Sequence, residues 1–469
     1  MKLLPALAAA AGVLLLAACA VPRPPEKVAP AAPPDWHAPL PHGGALSDLR
    51  RWWEQFDDPL LVDLIGAAES ASPDIASAGT RIAEARSARA AARSALLPSL
   101  DANASVVRGN AQTGIPLSTI VQGGLQSQWE IDLFGGNRAR ADAAQAQLAG
   151  AEAGWHAARV SLAAETATSY VDLRTCERLL QVTRNDARSR AESARLTQLS
   201  ADAGFTAPAV AAQARASAAE GAQRTVQQQA QCDLDVKALV ALTGLPEPEL
   251  RRKLAAPWKE PTGIARAAIP SVPAALLAQR PDVYQAERAV ESASADVGAA
   301  RADRLPHLSL TGQIGLGVVH ANGQTVDMQT WQIGPLALTA PLFDAGRRAA
   351  AEDAAVARYD EAVVAYRAQV RQAVREVEQA LVNLDSARRR SADARVAAEG
   401  YHASFVATEA RWRSGLGSLI EVEDQRRAAL AAETTLVTLQ RDRIAAWIAL
   451  YRALGGGWSR PDTATARYD

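Results

Sequence analysis

The sequence predicts a mainly α-helical protein with a small β part, built from two tandem repeats. The first sign is Trp155 to Ala203, a run of 49 residues without Gly or Pro, rich in Ala, Arg, Gln, Glu and Leu. Such residues lose little side-chain entropy in a helix. Extended back to Asn137 the run has 67 residues, and a helix of that length is on the order of 100 Å long. The second sign is Arg347 to Glu399, which repeats this composition over 53 residues.

The third sign is a set of paired motifs at nearly constant spacing. Leu97-Pro98 recurs 208 residues later as Leu305-Pro306, Leu133-Phe134 recurs 209 later as Leu342-Phe343, and Thr243-Gly244 corresponds, 211 later, to Leu454-Gly455. A slowly drifting offset with the same element order indicates a duplication with small insertions.

Composition narrows the class of function. The chain has 469 residues, a formal net charge of -1, and 48% hydrophobic but 5% aromatic residues. Near-neutrality argues against nucleic acid as a partner. The six His residues are scattered without metal-ligand spacing, and no phosphate-cradling loop or nucleophile elbow occurs. We therefore expect no enzyme, no cofactor and no metal.

The amino terminus has the parts of a secretory signal over residues 1–18, with Lys2 followed by an apolar run. It ends Leu16-Ala17-Ala18-Cys19, which resembles a bacterial lipobox, so Cys19 would be acylated and become the mature amino terminus. Ala20, where lipoproteins of this kind can carry Asp, implies sorting to the outer membrane. The alternative is an ordinary signal that happens to include a Cys.

Residues 19–45 then form a lipidated, Pro-rich amino-terminal segment. Pro22 to Pro34 holds six prolines in thirteen residues, which predicts an extended, unpacked tether between the lipid and the folded body.

Two stretches of alternating polar and apolar residues predict strand pairs, at about 98–134 and about 305–343. A period of two is what a strand between lipid and water shows. A soluble hairpin with one solvated face remains the alternative. In the second pair the phase changes at Pro335, which predicts a bulge or bend.

These elements define the expected domains. They are a first repeat at 46–256 with long helices at about 137–243, a second at 257–457 with a Pro-rich connector and long helices at about 346–454, and a loose tail at 458–469.

Several motifs resemble the TolC-type outer-membrane factor family, in particular the lipoprotein branch that serves tripartite efflux systems. The resemblance covers roughly residues 50 to 458. The matching pieces are Trp53 with Phe56 and Asp58-Pro59-Leu60, Arg280-Pro281-Asp282-Val283 with Ala286-Glu287, Leu342-Phe343-Asp344-Ala345-Gly346-Arg347, Gly415 to Arg427, and Leu450 to Trp458.

The resemblance implies a homotrimeric tube with a β-barrel in the outer membrane and a long α-helical barrel in the periplasm. Four strands cannot close a barrel alone, whereas three chains supply twelve, within the range of such barrels. The implied function is the exit duct of a tripartite efflux system. It would conduct small toxic compounds passively from a periplasmic adaptor protein and an inner-membrane efflux pump to the exterior. The alternative is a structural helical periplasmic lipoprotein that tethers the outer membrane.

The long helices must turn, and their only suitable breaks are Gly204 to Pro208 and Gly415 to Ser418. In the family such turns meet the adaptor. The docking candidates are Gly204, Phe205, Thr206, Gly415, Leu416, Gly417 and Ser418. The alternative for each glycine is that it only permits the turn.

A closed aperture near these turns is also implied by the resemblance. The family's Asp-Ala-Gln-Arg element, whose Asp and Arg help to close the tube, falls here on Asp424 and Arg427, with Gln425-Arg426 between them. The plain alternative is an exposed ion pair three residues apart on a helix.

After lipidation of Cys19, Cys176 and Cys232 remain. If the hairpin turns near Phe205, Cys176 lies 29 residues before the turn and Cys232 lies 27 after it. Two antiparallel helices of equal rise then hold the cysteines nearly level, and the periplasm permits pairing. We expect a disulfide, and two buried reduced thiols are the alternative.

Overall fold

The computed structural model describes residues 21–29, 53, 56–110, 117–259, 261, 279–458 and 460. The predicted signal peptide and Cys19 lie outside these residues, as does nearly all of the predicted tail. The elements are α1 (Pro59–Ala71), α2 (Pro73–Ser94), β1 (Ser99–Gly109), β2 (Ser118–Ile131), α3 (Gly136–Asp202), α4 (Pro208–Thr243), α5 (Glu247–Leu254), α6 (Pro281–Ala302), β3 (His307–Ala321), β4 (Gln324–Thr339), α7 (Arg347–Arg413) and α8 (Leu419–Ala453).

The two longest helices, α3 and α7, have 67 residues each. Each is followed by a glycine with positive φ, Gly204 and Gly415, and this conformation ends a helix at little cost only in glycine. Because both repeats supply two strands and a pair of long helices, the predicted fold class is confirmed: mainly α, with a four-stranded β part from two repeats.

The chain divides into two compact units. Unit 1 comprises Met1–Pro30, Ala78–Gly154 and Val283–Gln369, and unit 2 comprises Ala31–Ser77, Trp155–Asp282 and Val370–Asp469. None of the helices in the described ranges combines the length and apolar composition needed to cross a membrane.

Unit 1 contains the sheet, whose antiparallel strands lie in the order β1-β2-β3-β4. Close approach of neighbouring strands explains Gly124 and Gly317, where a Cβ atom would lie 2.6 Å from Ile314 O and 2.9 Å from Val121 O. Many large apolar side chains of the strands are exposed, as strands facing lipid require; they include Leu100, Val106, Ile314, Leu316, Trp331 and Ile333.

The predicted irregularity at Pro335 is a β-bulge. Leu310 pairs with Leu336 and Gly312 pairs with Ile333, so β4 carries one more residue than β3 between these pairs. The hydroxyl of Thr311 donates to the carbonyl oxygen of Gly334 at 3.0 Å, which satisfies an acceptor inside the bulge. The extra residue shifts the phase of the side chains along β4.

One expectation is wrong for the described part of the amino-terminal segment. The sequence predicts an unpacked tether over Pro22 to Pro34, but the carbonyl oxygens of Pro22, Pro24 and Pro25 accept hydrogen bonds from side chains of unit 1. Proline favours an extended backbone, yet each proline keeps a carbonyl acceptor. An extended Pro-rich segment can therefore bind along a surface that presents donors.

Unit 2 is held by a core in which Trp447, Tyr170 and Leu173 are almost fully buried. The Tyr170 hydroxyl donates to Asp58 Oδ2 at 2.6 Å, and the other oxygen of Asp58 accepts from the backbone N–H of Leu60 at 3.1 Å. One carboxylate thus caps α1 and joins it to α3. Burial raises the pKa of Tyr170, and the hydrogen bond to Asp58 raises it further.

Candidate functional site

The two helix-turn-helix tips of unit 2 have the same backbone geometry. Gly204 has φ +79° and Gly415 has φ +78°. After each glycine, a backbone N–H reaches back five residues at 2.9 Å, from Phe205 to Ser200 O and from Leu416 to Arg411 O. This is the Schellman arrangement that satisfies the free carbonyls of a helix end. The structure therefore places both turns where the glycines predicted them.

Each tip presents one large apolar side chain to solvent. Phe205 is 87% exposed and Leu416 is 72% exposed, and each directly follows its left-handed glycine. Beneath them, Ala194, Ala214 and Leu419 form a small buried cluster from three helices. The tips thus lie on packed helices while their apolar side chains stay uncovered in the single chain.

The remaining docking candidates shape the turns. Thr206 and Ser200 share a hydrogen bond of 2.6 Å between their hydroxyls. Ser418 caps α8 through a capping box with Glu421. A Cβ atom on Gly417 would meet Trp412 N and Glu421 Oε2 at 3.4 Å, so the turn accommodates a small side chain there.

The two proposed aperture residues lie one helical turn apart on α8. Arg427 Nη2 bonds Asp424 Oδ1, and the side chains are 65% and 58% exposed. Within one chain this pair looks like an ordinary surface ion pair, which is worth little free energy. A role in closing the tube stays a prediction.

Beside this pair lies a buried charged cluster that the sequence did not reveal. Arg190 on α3 donates to Asp186 Oδ2 and to Glu423 Oε2, each at 2.8 Å. Glu423 also bonds Arg426, and Arg426 Nη2 donates to Ser193 Oγ at 2.8 Å. The side chains of Arg190, Arg426 and Glu423 are 2%, 3% and 9% exposed.

All four long helices of unit 2 take part in this cluster. The Ser217 hydroxyl on α4 donates to Glu423 Oε2 at 2.8 Å, and Glu409 on α7 lies 3.8 Å from Arg426. Gly221 on α4 makes room for Arg190, because a Cβ atom there would lie 2.9 Å from Arg190 Cδ. Burial lowers the pKa of Arg426. The cluster fixes α8 against its neighbours just behind the tips.

The cysteine pair is also in unit 2. Cys176 and Cys232 are joined in the structure, with Cα atoms 5.5 Å apart and a sequence separation of 56. Both residues are buried in the apolar core with Val236 and Leu180. This spacing lies within the range that disulfides use. Whether the mature protein carries the bond stays a prediction.

No group of three or more His, Cys, Asp or Glu side chains suited to hold a metal ion occurs among the residues that the structure describes.

Comparison with known proteins gives relatives that match nearly the whole chain. The pyoverdine export outer membrane protein OpmQ of Pseudomonas putida is 31% identical over 462 residues, which cover 95% of this chain and 96% of OpmQ. The toluene efflux pump outer membrane protein TtgI of Pseudomonas putida is 29% identical, over 95% of this chain and 97% of TtgI.

Solved structures give the same fold. The outer-membrane channel OprN is 29% identical with a TM-score of 0.82, covering 92% of this chain and 99% of that one. The Campylobacter jejuni CmeC outer membrane channel has a TM-score of 0.84 over 95% and 97% of the two chains, and at 24% identity it supports the fold alone.

Two repeats, each with a strand pair and a pair of long helices, define a TolC-like channel protein. The family model for outer membrane efflux proteins matches residues 64–245 and 272–456, and the chain belongs to that family. The predicted function as an outer-membrane efflux channel and the predicted location are thereby confirmed. The alternative of a structural tethering rod is set aside.

Proposed function

We propose that three copies of the chain form the exit duct of a tripartite efflux assembly. The support is the sheet: β1 and β4 are its edge strands and each pairs on one side only within the described chain. Backbone groups in lipid need partners, so the edges must meet other copies. Two copies would give eight strands, a width that side chains normally fill, whereas three give twelve.

The duct would be passive. Its energy would come from an inner-membrane pump, and it would need no cofactor and have no catalytic activity of its own. The relatives are named for pyoverdine, toluene and solvents, which favours a shared duct whose cargo is chosen elsewhere in the assembly. For this chain we propose small toxic compounds as cargo. We also propose that an acylated Cys19 anchors the chain to the outer membrane in addition to its strands.

The periplasmic adaptor would dock on the two tips. The observation that carries this proposal is the pair of uncovered apolar side chains, Phe205 and Leu416, held on equivalent turns. A photo-crosslinking residue at either position is expected to capture the adaptor in cells. The matched control is Val396 on α7, 70% exposed and away from the turns. Equal capture from Val396, or none from either tip, would reject docking at the tips.

Gly417 provides a second test of docking. Gly417→Trp is expected to abolish export while the amount of trimer stays at the wild-type level. The Cβ atom itself meets its neighbours at an ordinary 3.4 Å, so the turn can form, while the rest of the indole would cover the proposed docking surface. Export is measured as resistance to a toxic compound, and trimer by its migration in detergent. Gly400→Trp on α7, where nothing lies within 4 Å of a Cβ, is the control. Loss of trimer in Gly417→Trp would contradict the prediction.

Asp424 provides the test of the aperture. Asp424→Ala is expected to raise single-channel conductance in planar bilayers, because it removes the anion that bonds Arg427. Asp442→Ala, on the same helix and 44% exposed, is the control and should leave conductance unchanged. An Asp424→Ala channel that conducts like the wild type would remove the aperture role.

A further inference from the structure

The described part of the amino-terminal segment, residues 21–29, binds a specific surface of unit 1. Ser294 Oγ, fully buried on α6, donates to the carbonyl oxygen of Pro24 at 2.6 Å. Arg301 Nη1, one residue before the end of α6, donates to the carbonyl oxygen of Pro22 at 2.6 Å. Two carbonyls that alternate along the segment thus meet donors that are two turns apart on one helix.

The segment also reaches the two long helices of unit 1. Arg23 Nη1 bonds Asp142 Oδ2 on α3 at 2.9 Å. The Tyr359 hydroxyl on α7 donates to the carbonyl oxygen of Pro25 at 2.9 Å. Four consecutive residues therefore contact three helices that are far apart in sequence.

A glycine on α6, Gly298, lies against the Arg23 side chain of the segment, and we call the surface around it the seat. Gly298 is buried in the last part of α6, and a Cβ atom there would lie 2.8 Å from Arg23 Cγ and 2.9 Å from Arg23 Nε. Glycine inside a helix is destabilising relative to alanine. Here the missing side chain leaves the space that the arginine stem occupies. Helix and segment are complementary in shape at this point.

We propose that residues 21–29 are a docked strap that joins α3, α6 and α7 of unit 1, and that the surface around Gly298 is its binding site. The strap fixes where the lipid is attached. Pro22 lies three positions after Cys19, and three residue steps span at most about 10 Å. Pro22 is held by Arg301, and β3 begins six residues later at His307. Chain length alone therefore keeps a lipid on Cys19 within about 10 Å of Pro22, near the start of β3.

The position of the lipid rests on the proposed acylation of Cys19. The docking of residues 21–29 on unit 1 does not depend on it. A loose tether would let the lipid move independently of the helices. A docked strap instead transmits the membrane attachment to unit 1, and it contributes to the packing of three helices. A substitution at Gly298 therefore distinguishes a docked strap from a loose tether, because only a docked strap would be released by it.

Trypsin accessibility at the Lys27-Val28 bond tests the docking in the full mature protein. Gly298→Leu is expected to expose the segment and to speed this cleavage roughly tenfold, the effect of losing about one good hydrogen bond's worth of docking free energy. Gly79→Leu, at a helical glycine of unit 1 with nothing within 4 Å of a Cβ, is the matched control and should cleave like the wild type. Arg23→Ala, which leaves the helices unchanged, should also speed cleavage.

The appearance of the Val28 amino terminus is followed by mass spectrometry at short digestion times. Wild-type rates in both Gly298→Leu and Arg23→Ala would overturn the strap. Equal acceleration in Gly79→Leu would also count against it, because the effect would then be general loosening of unit 1. None of these measurements depends on export, so failure of the strap and failure of the proposed duct are distinguishable.

A second experiment separates the strap from the lipid. Residues 22–29 are replaced by a Gly/Ser linker of equal length, and labelled palmitate verifies that Cys19 still carries lipid. Hydrogen exchange of the α6 amides near Ser294 and Gly298 is expected to accelerate roughly tenfold, because the linker cannot bind the seat. Unchanged exchange would reject the strap. Wild-type protein that takes up no palmitate would reject the lipid-positioning half.

Discussion

Glu423→Leu is expected to lower the stability of unit 2 by about 3 to 5 kcal/mol, because it removes the anion that two buried guanidinium groups share. Arg190 keeps Asp186 as a partner, whereas Arg426 is left with Glu409 at 3.8 Å. Arg190 and Arg426 both bond Glu423, and each is almost completely buried. In a medium of low polarity an uncompensated charge is far more costly than in water. The loss is measured as the shift of the unfolding midpoint in detergent, together with hydrogen exchange in α3 and α8.

The chain offers a matched control for this prediction. Arg441 on α8 also bonds Asp172 on α3, at 2.7 Å, but those side chains are 35% and 37% exposed. Asp172→Ala should therefore cost about 0 to 1 kcal/mol. A Glu423→Leu protein as stable as Asp172→Ala would contradict the prediction.

Replacing all of the buried charges together tests whether the cost of Glu423→Leu comes from leaving buried charges without a partner. The fourfold change Asp186→Leu, Arg190→Leu, Glu423→Leu and Arg426→Leu, which also removes the buried carboxylate that bonds Arg190, should recover most of the lost stability, since apolar residues of similar size commonly replace a buried ion network without loss. Arg190 Nη2 and Arg426 Nε also have no hydrogen-bond partner among the described residues. The cluster is therefore an imperfect substitute for an apolar core, and water would solvate its charges if the helices separated.

This cluster shows what could not be predicted from the sequence. Glu423 and Arg426 are three residues apart on a helix, as are Glu192 and Arg195. The first pair is buried and the second is 43% and 59% exposed. Local spacing is identical, so burial depends on which neighbouring helix covers the pair. That information lies in long-range packing, with Gly221 on α4 as its only local sign.

The helices and turns could be predicted from the sequence because they depend on local residue composition. Absence of Gly and Pro predicted the long helices, and single glycines marked the tips at Gly204 and Gly415. The docked amino-terminal segment was missed for the opposite reason. Its prolines predict an extended backbone, but composition does not report that Ser294 and Arg301 present donors at the matching spacing.

The cysteine pair is the remaining prediction with a large effect. Labelling of the denatured, unreduced mature protein with a thiol reagent is expected to find no reactive thiol at Cys176 or Cys232, because the structure joins them across α3 and α4. The bond would close a loop with a sequence separation of 56 residues. A loop of that size stabilises by roughly 3 to 4 kcal/mol through the reduced entropy of the unfolded chain.

Reduction should therefore lower the unfolding midpoint of the wild type. In the double variant Cys176→Ala and Cys232→Ala, the same reductant should have no effect, which separates loss of the bond from other effects of the reagent. The pair lies between the α1 contacts of Tyr170 and the charged cluster at Arg190. It would hold the two helices of the first hairpin in register. Two labelled thiols per chain in the unreduced protein would show instead that both cysteines are buried and free.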